Sequence, residues 1–367
     1  MREMTDTTAL DRAREAMVAA GVDALLIGPG ADLRYLTGYR ALPLERLTLL
    51  VARADGRHGL VVPTLERPRA EDAGAAALVE LVDVGETDDP FAAAAALLDG
   101  LEGARLGVGD QLWSTFLLGL QSVLPGASWG RASTVTRELR MRKTPEEVDT
   151  LRRAGQAIDR VHRRVPELLR PGRSEAEVGR DIADLILAEG HEAVAFVIIG
   201  SGPNGASPHH EIGDRVLADG DAVVVDIGGT VDGYHSDCTR NYVLGAPPDG
   251  YDDVHRALED AQAAACDAVR AGITAAEVDA VARRRLAGAG YGERFVHRTG
   301  HGIGLDGHEE PFIVAGNDLA LEPGMTFSIE PGVYLPGRFG TRIEDIVVVT
   351  GDGCERLNTL DRGVVTV

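Results

Sequence analysis

In the stretch DIGGTVDGYHSDCTRNYVL, Asp226 and Asp237 stand at the inner ends of two apolar runs joined by a Gly-rich turn. An Asp232-Gly233 turn gives an antiparallel hairpin whose paired positions sum to an odd number, so residues of opposite parity on the two arms share a face. Asp226 is even and Asp237 is odd, which predicts that the two carboxylates lie together. Strand residues such as Val223, Val224 and Val225 beside them predict that both are buried. Like charges held close inside a protein are costly unless one is protonated or a cation neutralises them. A single Asp beside Gly is ordinarily a turn or capping residue, and it is the pairing that raises a different chemistry.

The second half of the chain repeats itself. RPGRSEAEV from Arg170 and RAGITAAEV from Arg270 align without a gap, and each carries a capping box, Ser174 with Glu177 and Thr274 with Glu277. Each leads into an amphipathic helix that stops at a glycine, Gly190 or Gly290. Further on, LADGDAVVVDIGG aligns with LEPGMTFSIEPGV, which sets Asp226 on Glu330 at the same distance after Gly220 and Gly324. The following hairpin strands then bring Asp237 near the counterpart of Glu344. Two αβ halves related by pseudo-symmetry are predicted, each giving a pair of acids to a shared centre. Oxygen-rich sites of this kind with one imidazole suit two hard or borderline divalent ions about 3.5–4 Å apart. The imidazole candidates, His297, His301 and His308, lie in VHRTGHGIGLDGHEEP. The glycines around them argue for loop and strand, unlike the helical HExxH zinc motif.

The elements that must position these groups follow from the rest of the chain. Its 367 residues, 44% apolar and 26% charged, have the balance of a globular protein with one large or two ordinary domains. The first part opens with a helical pattern over Leu10, Ala13, Met17 and Val18, a turn at Gly21 and the apolar run ALLI. LTLLVARADGRHGLVV reads as two β runs around an Asp55-Gly56 turn. In RKTPEEVDTLRRAGQAID, Pro145 with acids in the next turn starts a long helix, taken as the entry to a second domain. The expected division is 1–140 and 141–367.

Composition excludes several partners. A net charge of −21, with no Lys/Arg cluster to overrule it locally, disfavours nucleic acid and anionic membranes. Cys238, Cys266 and Cys354 are odd in number and lack CxxC spacing, so neither a disulfide framework nor a thiolate zinc site is expected, and a reducing cytoplasm fits. MREMTDTTAL carries no apolar signal core, and FAAAAALLDG is far short of a membrane span.

The elements DIGG…GYHSDCTR, GHGIGLDGHEEP, GMTFSIEPGVY and TRIEDIVVV, in that order, resemble the pita-bread metallopeptidases, which include prolidase, aminopeptidase P and methionine aminopeptidase. The resemblance is close from about Phe196 to Thr350. Met1 to Arg140 is similar to the smaller N-terminal domain of the prolidase and aminopeptidase P branch, which methionine aminopeptidases usually lack. The implied fold class is α+β: a C-terminal pita-bread fold with pseudo-two-fold αβ halves, preceded by a smaller αβ creatinase/prolidase-like domain. The resemblance makes Asp226, Asp237, His301, Glu330 and Glu344 ligands of two divalent metal ions, with Asp237 and Glu344 bridging. Manganese is the expected ion, and cobalt and zinc also accept such a set. His209 in SPHH and His308 are implied to stabilise the tetrahedral intermediate, with His210 the lesser member of its pair. Glu330 is implied to take a proton from water and pass it to the leaving amine, and His297 and Arg342 to position substrate. The implied substrate is a peptide with proline at the second position, cut by an Xaa-Pro dipeptidase or an Xaa-Pro aminopeptidase, as a cytoplasmic homodimer. A proline nitrogen carries no N–H in the bond, so its protonation on departure matters.

Two positions depart from the family's pattern. Gly307 stands where a branched residue is common and leaves room beside His308, and Thr341 stands where valine is common. The same resemblance offers a creatinase-like metal-independent C–N hydrolase and a non-catalytic binding protein on the same fold. Both usually lack part of the ligand set, and the complete set here counts against them. Whether the pocket admits only dipeptides depends on what closes its far end, a loop or a partner subunit.

Overall fold

The first helical pattern becomes a helix, Ala9–Ala20, in the computed structural model, which describes residues 8–367. Thr8 and Asp11 close a capping box at its start, and Gly21 at φ 61 ends it. Leu10, Ala13 and Met17 are buried, whereas Val18 is 66% exposed, because the apolar stripe is narrower than the four positions suggested. The residues up to position 7, part of the stretch read for a targeting signal, lie outside the described residues. Among the described residues, no helix is long and apolar enough to cross a membrane.

The chain divides into two compact units, Met1–Arg140 and Met141–Val367. The first is built on a mixed six-stranded sheet in the order Glu80–Val84, His58–Pro63, Leu49–Arg53, Ala24–Ile27, Arg105–Val108 and Ser128–Arg131. Its middle strands are the runs ALLI and LLVAR, buried along their whole length, with the Asp55-Gly56 turn joining Leu49–Arg53 to its antiparallel neighbour. Helices and apolar side chains cover both faces of this sheet in two clusters, one around Met17, Leu33 and Leu50 and the other around Leu26, Val51 and Leu120.

The second unit contains two five-stranded sheets, each backed by a pair of helices, and a two-stranded ribbon of Gly332–Leu335 with Phe339–Arg342. In the first half, Pro145–Leu168 and Glu175–Ala188 pack Ile158, Val161, Val178 and Ile182 against Val223, Val225 and Ile227. Each such side chain taken out of water stabilises the fold by about 1.5–3 kcal/mol. In the second half, Tyr251–Ala268 and Ala275–Gly288 pack Ala261, Ala265, Val278 and Ala282 in one core cluster with Phe327, Ile329 and Val347. The repeat seen in the sequence is a repeat of backbone. Ser174 and Thr274 both close the expected capping boxes, and both form isolated bridges, to Val216 and Ala320. Gly172 N–H donates to the Leu217 carbonyl and Gly272 N–H to that of Leu321, at 2.9 and 2.8 Å.

Candidate metal centre

Asp226 lies in the middle of the strand Ala222–Val231, paired with Thr239 of the returning strand Cys238–Val243. Thr230↔His235 and Val231↔Tyr234 continue the same register to the Asp232-Gly233 turn. Asp237, two residues before Thr239, therefore shares a face with Asp226, as parity required. In the other half, Glu330 follows the strand Thr326–Ile329 and Glu344 precedes Asp345–Val349. His301 sits between two glycines on the short strand Gly300–Gly302. A Cβ at Gly300 would collide with the Ser328 carbonyl, so glycine there lets the two strands close up. The Ser328 hydroxyl then accepts from the His301 N–H and donates to Glu330, each at 3.0 Å.

These elements bring the predicted set together. Asp226, Asp237 and Glu344 place carboxylate oxygens within 4.8 Å of one another, and His301, Glu330 and Glu344 do the same with theirs. His301 Nε2 lies 3.2 Å from Glu330 and 3.7 Å from Asp237. Its Nδ1 faces the Gly302 carbonyl at 3.0 Å, which can only accept, so Nδ1 carries the proton and Nε2 turns its lone pair to the carboxylates. Burial, followed by His308, pushes this imidazole down to about 3, so it is neutral.

The carboxylates are charged at a cost. Burial raises Asp237 and Glu344 well above the ordinary carboxyl range, and neighbouring carboxylates add to it. Burial likewise pushes Glu330 up to about 7, against the opposing pull of Arg342. Three buried oxygens at the centre, Asp226 Oδ1, Asp237 Oδ1 and Glu344 Oε1, have no hydrogen-bond partner among the described residues. Buried acceptors are ordinarily satisfied, so converging unsatisfied oxygens fit a cation. The second oxygens of Asp226 and Glu344 are held by protein donors: Arg342 Nη2 donates to Asp226 at 2.6 Å and the Thr239 hydroxyl to Glu344 at 2.8 Å. Hard divalent ions take such oxygen donors with one imidazole, and the residues present fit them.

A cavity of about 530 Å³ opens onto this centre, a size suited to a small ligand. His209, His297, His308 and Arg342 all line it. His210 turns away, to the fully buried carboxylate of Glu175 at 2.8 Å, which leaves His209 as the pocket member of its pair. The His308 ring lies against that of His301, tilted by 44° with ring centres 3.8 Å apart. His297 and Arg342 direct their hydrogen bonds inward. His297 Nδ1 donates to the Arg298 carbonyl at 2.8 Å, so its Nε2 accepts from Tyr334, and Arg342 Nη1 donates to that same Tyr334 oxygen at 3.0 Å. Sequence reasoning passed over Tyr334, Thr239 and Arg298, together with the apolar wall of Phe196, Ile198 and Pro208. The signals were there for three of them: Arg298 stands between His297 and His301, and Thr239 and Tyr334 lie inside the quoted GYHSDCTR and GMTFSIEPGVY.

Thr341, one of the two departures, gives its hydroxyl to the buried His255 at 2.9 Å. A Cβ at Gly307 would make only an ordinary contact, 3.6 Å from His235. Cys238, Cys266 and Cys354 are all free thiols.

Carboxylates and an imidazole converging between two αβ halves define the class, a divalent-metal hydrolase of pita-bread architecture. The chain belongs to Metallopeptidase family M24, whose profile matches residues 149–351, and the Creatinase/Prolidase N-terminal domain matches residues 10–142. It is thus a metal-dependent peptidase acting on peptide substrates. The structure of dipeptidase PepE from Mycobacterium ulcerans is similar at TM-score 0.93 and 53% identity, covering 97% of this chain and 96% of that one. A prolidase structure from Thermococcus sibiricus matches at TM-score 0.93 and 36% identity, covering 100% of both chains. The Xaa-Pro dipeptidase of Lactobacillus delbrueckii subsp. lactis is 35% identical over 94% of this chain and 95% of its own.

Proposed function

We propose that this chain hydrolyses the bond between an N-terminal residue and a following proline, as a manganese-dependent cytoplasmic homodimer. The observation that carries the reading is the set of partnerless buried oxygens on Asp226, Asp237 and Glu344. Relatives named prolidase and Xaa-Pro dipeptidase support the choice of bond. Asp226, Asp237, His301, Glu330 and Glu344 would hold two divalent ions. When bound, such ions supply Lewis acidity and lower the pKa of water.

The chain's own residues do the rest. Arg342, Thr239 and Ser328 fix the carboxylates of Asp226, Glu344 and Glu330 by one hydrogen bond each. The Glu330 side chain is 15% exposed, against 10% for Asp226 and 6% for Asp237, so it opens further onto the cavity. Its carboxylate takes the proton of the attacking water and returns it to the departing proline nitrogen. His209 and His308 donate to the carbonyl oxygen as negative charge develops there. Phe196, Ile198 and Pro208 give the proline ring an apolar wall.

The test is to strip the protein with chelator, reload it separately with Mn²⁺, Co²⁺ and Zn²⁺, and assay Xaa-Pro dipeptides and tripeptides beside matched peptides without proline. Activity should vanish on stripping, return best with Mn²⁺ and favour proline. Full activity in protein holding no metal by elemental analysis would instead support a creatinase-like reaction, and indifference to proline would remove the Xaa-Pro reading.

A further inference from the structure

Of the four imidazoles that line the cavity, His209 is the one whose ring makes no hydrogen bond among the described residues. It lies in an irregular stretch, and among the described residues no backbone N–H from His209 to Ile212 is hydrogen-bonded either. Its direction therefore rests on its chain neighbours. On one side the Pro208 carbonyl accepts from Arg342 at 3.2 Å, and on the other His210 Nε2 donates to Glu175 at 2.8 Å. Glu175 opens the helix Glu175–Ala188 and is fully buried. Its Oε1 accepts from the N–H and the hydroxyl of Ser201 at 2.8 and 2.6 Å, and Asn204 Nδ2 lies 3.2 Å from both of its oxygens. The first N–H groups of the helix, which have no partner inside it, take the far end of the same stretch: Glu175 donates to the Arg215 carbonyl at 3.0 Å and Ala176 to that of Gly213 at 3.1 Å. Ser201 and Asn204 thus tie down the start of the stretch, Gly213 its end and His210 its middle.

Resting on the part given above to His209, we propose that Glu175 and His210 are positioning residues that aim the His209 imidazole at the carbonyl oxygen of the substrate. Neighbouring residues share one backbone, so the bond that locks the His210 ring also sets the direction in which His209 leaves the chain. The bond is well placed for this. The side chains of His210 and Glu175 are 16% and 0% exposed, and a hydrogen bond to a carboxylate shielded from water is short and strong. Without it, the stretch around His209 keeps only the Arg342 bond to the Pro208 carbonyl between Ser207 and Gly213. A shift of about 1 Å in a group that acts on the transition state costs up to about 10²-fold in rate. The proposed ligands stand on other elements, Asp226 on Ala222–Val231 and His301 on Gly300–Gly302 among them. The pair therefore acts on turnover through His209 and leaves metal content alone.

The experiment uses the full chain loaded with Mn²⁺ and the dipeptide that the wild type cuts fastest, so that it does not depend on the preference for proline. His210→Ala should lower kcat by about 10- to 100-fold at unchanged KM and metal content, because the group it aims acts on the transition state. His210→Gln, whose amide still donates to Glu175, should recover most of that loss. A double-mutant cycle separates aiming from packing: in a His209→Ala background, His210→Ala should cost nothing further, since the imidazole it directs is gone. Losses that multiply in the double variant overturn the proposal, as do a wild-type kcat in His210→Ala and an equal kcat in His210→Gln and His210→Ala. Failure of the reading of His209 looks different. His209→Ala alone would then keep the wild-type kcat, and the pair would lose its target with it.

Discussion

Asp237 and His308 lie within a few ångströms of each other, yet their substitution should separate metal binding from turnover. A Nε2 or Nδ1 atom of His308 approaches Asp237 and His301 within 4.8 Å, so proximity alone does not assign the two roles. Asp237 is 5% exposed with an oxygen lacking a partner, whereas the His308 ring opens to solvent and to Arg298. Asp237→Asn removes a charge that the proposed ions need, and metal content and activity should fall together. His308→Ala should keep metal and lower kcat by about 10²–10³-fold, the range for losing one group that acts on the transition state. Elemental analysis beside kcat decides. Loss of metal in the His308 variant with both ions retained in Asp237→Asn would exchange the roles. The carboxylates themselves could be read from the sequence, because strand alternation and the internal repeat are properties of the sequence. The donors that aim them could not: Arg342 lies 116 positions from Asp226 and Thr239 lies 105 from Glu344, and no local pattern joins them.

At the scale of elements, two helices carry imidazoles that fold only without their protons. His162 in Pro145–Leu168 bonds the Tyr242 hydroxyl and the Cys238 carbonyl, and burial pushes it down to about 3. His255 in Tyr251–Ala268 bonds Thr341 and the Arg362 carbonyl, and burial pushes it down to about 4. Both folded values lie below the unfolded value of about 6.5, so between these limits the unfolded chain binds more protons than the folded one. The stability they contribute is therefore present above about pH 6.5 and lost as pH falls towards the folded values, by up to about 1.4 kcal/mol per pH unit for each group. The thermal midpoint should drop from about pH 6.5 to 4, and His255→Gln should make that drop shallower. An identical slope in the variant would show that His255 is not held neutral. Thr341 now has its reason, since its hydroxyl serves His255. The helices were readable from caps and glycine stops, and the hairpins from Asp-Gly turns. The neutral core histidines were not, because burial on a helix face depends on which strands and loops distant in sequence pack against it. Val18 failed for the same reason in reverse: an apolar residue beside a buried stripe finds no partner there.

For the whole molecule, assembly and substrate length are the open quantities, and they separate experimentally. The first unit holds none of the proposed site residues, yet it exposes Leu42, Leu65, Trp113 and Leu118, between 45% and 67% each. Exposed apolar groups of this size on a unit without a catalytic site fit a role in association. We expect the full chain to show a mass twice its 38.8 kDa by light scattering. A chain beginning at Met141 keeps that buried residue and the Arg142 pairing with Glu322, both part of the second unit, whereas a start at Lys143 discards them. The shortened protein should run as a monomer and still bind metal. If the first unit of one subunit caps the cavity of its partner, the intact dimer excludes tripeptides by space. Removing the cap abolishes that exclusion. The dipeptide-to-tripeptide rate ratio should then fall in the shortened protein. A ratio unchanged from the full chain, in a folded metal-loaded monomer, would place length selection entirely in the second unit and leave no role for a cap.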